Sequence, residues 1–186
     1  MPPVGKKMTI IVSSACGDAM RQAARLLPSL RVQAELVVVP SADIPAQLAE
    51  RPIDALILSH QDYDLAADVS ERSYTGVLIL AGEELRKDMA AACISAGVLI
   101  APPSDLEIAL PQLLALCSRL RSLRAQTNTL RRKLDDTRLV SRAKLLLMSR
   151  FKMSENEAHR YIERTAMDSG EKLREVAESI IRTYED

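Results

Sequence analysis

Five short aliphatic runs in the first hundred residues limit the possible folds of this chain more than any other feature. They lie at residues 8–13, 35–39, 54–59, 76–80 and 98–101 and are built mainly from Val, Ile and Leu. Runs of this length and composition suit strands and are too short for packed helices. Amphipathic stretches separate them at residues 18–30, 44–51, 65–72 and 85–96, the third being the weakest. Strands alternating with helices predict a parallel sheet, since parallel neighbours need a crossover between them. The expected fold is α/β, a doubly wound five-stranded domain over residues 1–104.

From Ser104 the pattern changes to one long helix, with Ser104 or Asp105 as its N-cap and no Gly or Pro along it after Pro111. Leu113, Leu116, Leu120, Leu123, Leu130 and Leu134 recur at alternating spacings of three and four when Thr127 and Thr137 fill the remaining positions. That spacing predicts a coiled-coil signalling and dimerisation helix over residues 105–136, paired in parallel. Arg119, Arg121, Arg124, Arg131, Arg132 and Lys133 flank the seam. The alternative is an amphipathic helix folded back onto its own domain.

Beyond Phe151, Ser154 and Glu157 form an S-x-x-E capping box that starts a helix reaching about Met167. Asp168, Ser169 and Gly170 break it, and a last helix follows over residues 171–183. Residues 137–186 therefore read as a small all-α, three-helix domain that depends on the long helix for its core.

Zero net charge hides a polarised distribution. Residues 1–104 hold nine basic and twelve acidic side chains, residues 105–152 eleven and four, and residues 153–186 five and nine. One Phe, four Tyr and no Trp argue against base-stacking platforms, so nucleic-acid contacts would be basic and polar. Cys16, Cys93 and Cys117 are odd in number and lie in apolar contexts, as reduced core thiols of a cytoplasmic protein do. Lys6 and Lys7 precede an apolar run too short for a signal peptide or a membrane span. No nucleophile, base and orienting group converge on one motif, so no enzyme activity, cofactor or metal is expected.

The stretch RLVSRAKLLLMSRFKMSENEAHRYIERTAMDSGEKLREVAESII, residues 138–181, resembles the ANTAR family. It has RAK before an apolar LLLM, a one-turn gap, the capping-box S-x-x-EA, then R-x-x-A-M and a final K-L-x-x-V-A helix. Leu145 departs from the pattern, standing where many members have Gly. The resemblance implies a transcription antitermination regulator that binds tandem stem-loops in leader RNA and blocks terminator formation. The basic residues available for that role are Arg138, Arg142, Lys144, Arg150, Arg160 and Arg164, with His159 and Tyr161 as further candidates for contacts to unstacked bases. Without the resemblance, the same arginines read as a solvated face paired with Glu157, Glu163 and Asp168. Ala143, Met148, Ala158, Ala166 and Leu173 are expected in the core.

The N-terminal pattern, followed by a signalling helix, looks like a response-regulator receiver. The resemblance implies an acidic pair after the first strand, an Asp ending the third, a hydroxyl after the fourth and a Lys after the fifth. Those places hold Ser13 and Ser14, Ser59, Ala81 and Ala101. A serine cannot form an acyl phosphate, and serines provide no carboxylate pair for Mg²⁺. The expectation is a degenerate receiver used for dimerisation and for binding a regulatory protein or ligand. The competing readings are a coiled-coil protein-interaction adaptor and, less well supported, a DNA-binding response regulator whose basic helix enters the major groove.

Overall fold

A computed structural model describes residues 7–185, so Lys6 of the pair before the first strand lies outside the described residues. The chain divides into two compact units, Met1–Arg124 and Ala125–Asp186.

In the first unit, β1 (Met8–Ser13), β2 (Ala34–Val39), β3 (Ala55–Ser59), β4 (Gly76–Leu80) and β5 (Leu99–Ala101) form one sheet in the order β2-β1-β3-β4-β5. Every pairing is parallel. The helices α1 (Gly17–Ser29), α2 (Ile44–Glu50), α3 (Tyr63–Arg72) and α4 (Glu83–Ala96) are the crossovers. This is the five-stranded, receiver-like α/β arrangement expected from the alternation of runs, with each strand found within one residue of its predicted start.

Side chains alternate across a strand, so both faces of the sheet must be apolar if both are covered. Ile10, Val12, Ala55, Ile57, Leu78 and Leu80 face one layer, where Ala19, Ala23 and Leu27 of α1 are buried. Ile11, Leu56, Leu58, Val77 and Ile79 face the other, with Ile44 of α2, Ala66 and Val69 of α3 and Cys93 of α4. Helix α4 ends on Gly97, where a φ of 70° brings Val98 N–H to the Cys93 carbonyl at 2.8 Å. That left-handed turn is the one that favours glycine at a helix end.

The long helix α5 runs over Leu106–Phe151, 46 residues. Its first part completes the first sheet layer: Leu106, Ala109, Leu110, Leu113, Leu114 and Cys117 are all buried there. Leu113 is 0% exposed, which corrects its assignment to a dimer seam. The helix here is folded back onto its own domain, because burial on the sheet takes the apolar positions that a seam would need. Two polar contacts fix it. Arg121 grips Asp54 through Nε–Oδ1 at 2.6 Å and Nη2–Oδ2 at 2.5 Å, and Cys117 Sγ donates to the Asp54 carbonyl at 3.1 Å. Asp54 also accepts Thr9 N–H at 2.8 Å, so one carboxylate ties the start of β3 to β1 and to α5. Arg121 is therefore an internal brace rather than a seam-flanking charge.

In the second unit the remainder of α5 packs with α6 (Glu155–Ser169) and α7 (Leu173–Tyr184). The core is small: Ala143 and Leu147 of α5, Ala158, Ile162 and Ala166 of α6, and Val176, Ala177 and Ile180 of α7. Met148 is half-buried against it. Leu173, expected in the core, is 41% exposed because it opens α7 before the first inward turn. The capping box is formed: Ser154 N–H donates to Glu157 Oε2 at 2.8 Å, and Glu157 N–H donates to Ser154 Oγ at 3.4 Å. Gly170 ends α6 at φ 70°.

Candidate nucleic-acid interface

The six basic residues assigned to RNA occupy different environments. Arg138 and Arg142 lie one turn apart on α5, where Arg138 is exposed and without an ion pair among the described residues. Arg142 is held by Glu185 at the end of α7, with Nε at 2.8 Å from Oε1 and a second contact through Nη2. Lys144 turns inward: its side chain is only 19% exposed, and Nζ meets Glu155 Oε1 at 2.6 Å. The ammonium beside Glu155 holds that carboxyl below the usual carboxylate range. Lys144 thus joins α5 to the first turn of α6. Arg150 and Arg160 are exposed and unpaired among the described residues, and Arg164 lies 3.9 Å from Asp168.

The solvated-face pairing occurs in part. Arg164 reaches Asp168, but Glu163 pairs with His159 at 3.3 Å and Glu157 is taken by the capping box. Arg138, Arg150 and Arg160 are the cations on this list left open to a phosphate, and Tyr161 is exposed on α6. Leu145, at the family's glycine position, is also exposed and is no part of the bundle core.

Four basic groups around the start of α7 were not assigned to RNA from the sequence, or only weakly so. Arg132, Lys172, Arg174 and His159 line a groove of about 710 Å³ together with Lys144. The available signal was Lys172 and Arg174 beside a helix start, where cations oppose the helix dipole and so gain nothing from position. Arg174 is committed to Asp136 and Glu178, each at 2.8 Å.

Along α5, the seam residues divide into two groups. Leu113 belongs to the sheet core, and Leu116 and Leu120 are half-buried in the same unit. Leu123, Leu130 and Leu134 are 45%, 62% and 59% exposed, leaving an apolar row along the middle of the helix. Thr137 Oγ1 is turned back onto the Lys133 carbonyl.

In the first unit, the receiver-site positions come together at the C-terminal ends of the parallel strands, the edge at which ligands bind in this fold. Ser13 is buried and its hydroxyl is shared with Ser41 at 2.8 Å, whereas Ser14 is exposed. Ser59 caps the turn after β3, its N–H donating to Asp62 Oδ2 at 3.3 Å. Ala81 follows β4, its N–H bonded to the carbonyl of Ala101 at 3.1 Å. Of the nearby carboxylates, Asp62 is engaged in that cap and Asp18 on Arg21. Cys16, just beyond β1, has its thiol pushed up by burial and by Asp62. Among the described residues no three His, Cys, Asp or Glu side chains are grouped to hold a metal ion, and no helix is long and apolar enough to cross a membrane.

A receiver-like α/β unit and a helical unit share the long helix α5, which begins in the first and ends in the second. Residues 128–181 match the family model described as ANTAR domain, and the match falls on the helical unit. The helical unit thus matches an ANTAR domain, and the first unit has a receiver-like fold. Similar proteins include the Transcriptional regulatory protein PdtaR from two strains of Mycobacterium tuberculosis, each 28% identical over 125 residues. The aligned stretch covers 64% of this chain and 60% of those relatives.

Proposed function

We propose that this protein is a cytoplasmic RNA-binding transcription antitermination regulator. Its helical unit binds tandem stem-loops in leader transcripts and blocks formation of the terminator helix. It acts as a homodimer joined along α5, and it is a regulator rather than an enzyme. The observation that carries the reading is the coincidence of the ANTAR match with a compact bundle that leaves Arg138, Arg150 and Arg160 unpaired among the described residues. Unpaired arginines on a rigid helical scaffold suit phosphate contacts and make binding salt-sensitive.

The dimer assignment is supported by the exposed row Leu123, Leu130 and Leu134, since apolar side chains in line on a long helix gain from pairing. The receiver-like half controls access to RNA by binding a protein or small ligand in place of phosphorylation, because Ser59 stands at the phosphoacceptor position. The same leucine row supports a second reading, a coiled-coil adaptor that contacts only protein. Gel-shift titration against a tandem stem-loop RNA, a scrambled-loop RNA and duplex DNA at two salt concentrations separates the two. Preferential, salt-weakened binding to the intact RNA is expected, and no preference for it over either control would overturn the antiterminator reading. Ser59→Ala is expected to leave RNA binding unchanged.

A further inference from the structure

The groove between α5 and the start of α7 differs in character from the rest of the helical unit. Its floor is apolar, from half-buried Val140 and the exposed face of Leu173. Its rim carries Arg132, Lys144, Lys172 and Arg174, and Asp136 is the one acid among the described residues that line it. Asp136 is neutralised by Arg174 and Lys144 is bound to Glu155. Arg132 and Lys172 remain, both exposed and without an acidic partner among the described residues. The first turn of α7 lines the same space, so the positive end of its dipole adds to theirs. The groove is open to solvent, and its volume of about 710 Å³ is in the range of clefts that take a small organic group.

We infer that this groove receives one unpaired nucleotide of an RNA loop, with its base on Val140 and Leu173 and its flanking phosphates on Arg132 and Lys172. An apolar floor under a cationic rim matches the two halves of a nucleotide, a flat base and an anionic backbone. Only unpaired nucleotides offer their faces in this way, since a helical stem keeps its bases stacked. The groove therefore accounts for loop recognition without a Phe, Tyr or Trp in its lining. The inference rests on the RNA-binding reading and adds residues to it, because neither Arg132 nor Lys172 is among the six basic positions assigned from the sequence.

The test uses the full chain and a fluorescein-labelled tandem stem-loop RNA, followed by fluorescence anisotropy over a salt series. Arg132→Ala and Lys172→Ala are each expected to weaken binding roughly fourfold at physiological salt and to reduce the salt slope by about 0.7, the value for one phosphate on a single strand. Arg131→Ala removes the same charge from the neighbouring α5 position outside the groove and is expected to have a smaller effect on both. Replacing loop nucleotides one at a time by abasic ribose is expected to identify one position per hairpin at which affinity falls and at which Leu173→Ala adds no further loss. If the wild-type protein binds the RNA but Arg132→Ala and Lys172→Ala match Arg131→Ala, the groove assignment is overturned while the RNA reading stands. If the wild-type protein binds no RNA, both fall.

Discussion

The docking of α5 on the sheet can be tested at a single contact. A Cβ added to Gly76, the first residue of β4, would lie 2.5 Å from Cys117 Sγ and 3.2 Å from Leu113 Cδ1. Unstrained heavy-atom contacts lie at about 3.5–4.0 Å, so Gly76→Ala overlaps the sulfur by roughly 1 Å. Cys117 has one rotatable bond, is 1% exposed and is bonded to the Asp54 carbonyl, so it has little room to move. Overpacking of this kind costs about 1–3 kcal/mol, and the short contact places Gly76→Ala in the upper half of that range. For a unit of this size, that corresponds to a fall in Tm of roughly 10 °C. Cys117→Ala removes the obstructing atom, so the double variant should recover on the order of 1–2 kcal/mol relative to the sum of the single changes. The assay is urea unfolding followed by far-UV circular dichroism on the wild type, both single variants and the double variant. Additivity to within about 0.5 kcal/mol would refute the reasoning, because two sites that touch must couple.

Further outcomes follow from contacts within each unit. Leu113→Ala should destabilise the α/β unit by about 2–5 kcal/mol, independently of protein concentration; Leu130→Ala should leave that unit's stability unchanged and instead weaken self-association in sedimentation velocity runs. Burial pushes the Cys117 thiol up to about 12, so the folded state keeps a proton that the unfolded state releases; stability should fall as pH rises from about 9 towards 12, by about 1.4 kcal/mol per pH unit, and Cys117→Ala should flatten that slope in alkaline unfolding titrations. Ser154→Ala should cost the helical unit about 1 kcal/mol through loss of the cap. Hydrogen bonds from Ser154 hold the Glu157 carboxyl below its ordinary value, so its contribution is present above the unfolded pKa and is lost as pH falls through the folded one; Glu157→Gln should weaken the acid dependence measured by thermal unfolding.

Each of the local features legible in the sequence has a local physical cause. The strands were readable because a sheet buried on both faces needs uninterrupted aliphatic runs. The start of α6 was readable because Ser154 and Glu157 satisfy each other's amides within four residues, and the ANTAR resemblance because its motif spacing is continuous over residues 138–181. The lack of acid groups where a receiver would carry them was likewise plain from which residues follow each strand. The partners of α5 were not legible. A three-and-four repeat of leucines is satisfied equally by a second helix or by a sheet, and nothing within the helix distinguishes Leu113 from Leu130. Their fates separate only because Gly76 leaves room beside β4 and Asp54, 67 residues from Arg121 in sequence, captures its guanidinium. The same holds for charge: Lys144 and Arg138 look alike in sequence, yet folding turns one onto Glu155 and leaves the other in solvent. Periodicity and capping chemistry are written along the chain, whereas the surface each helical face covers depends on residues brought beside it from far away.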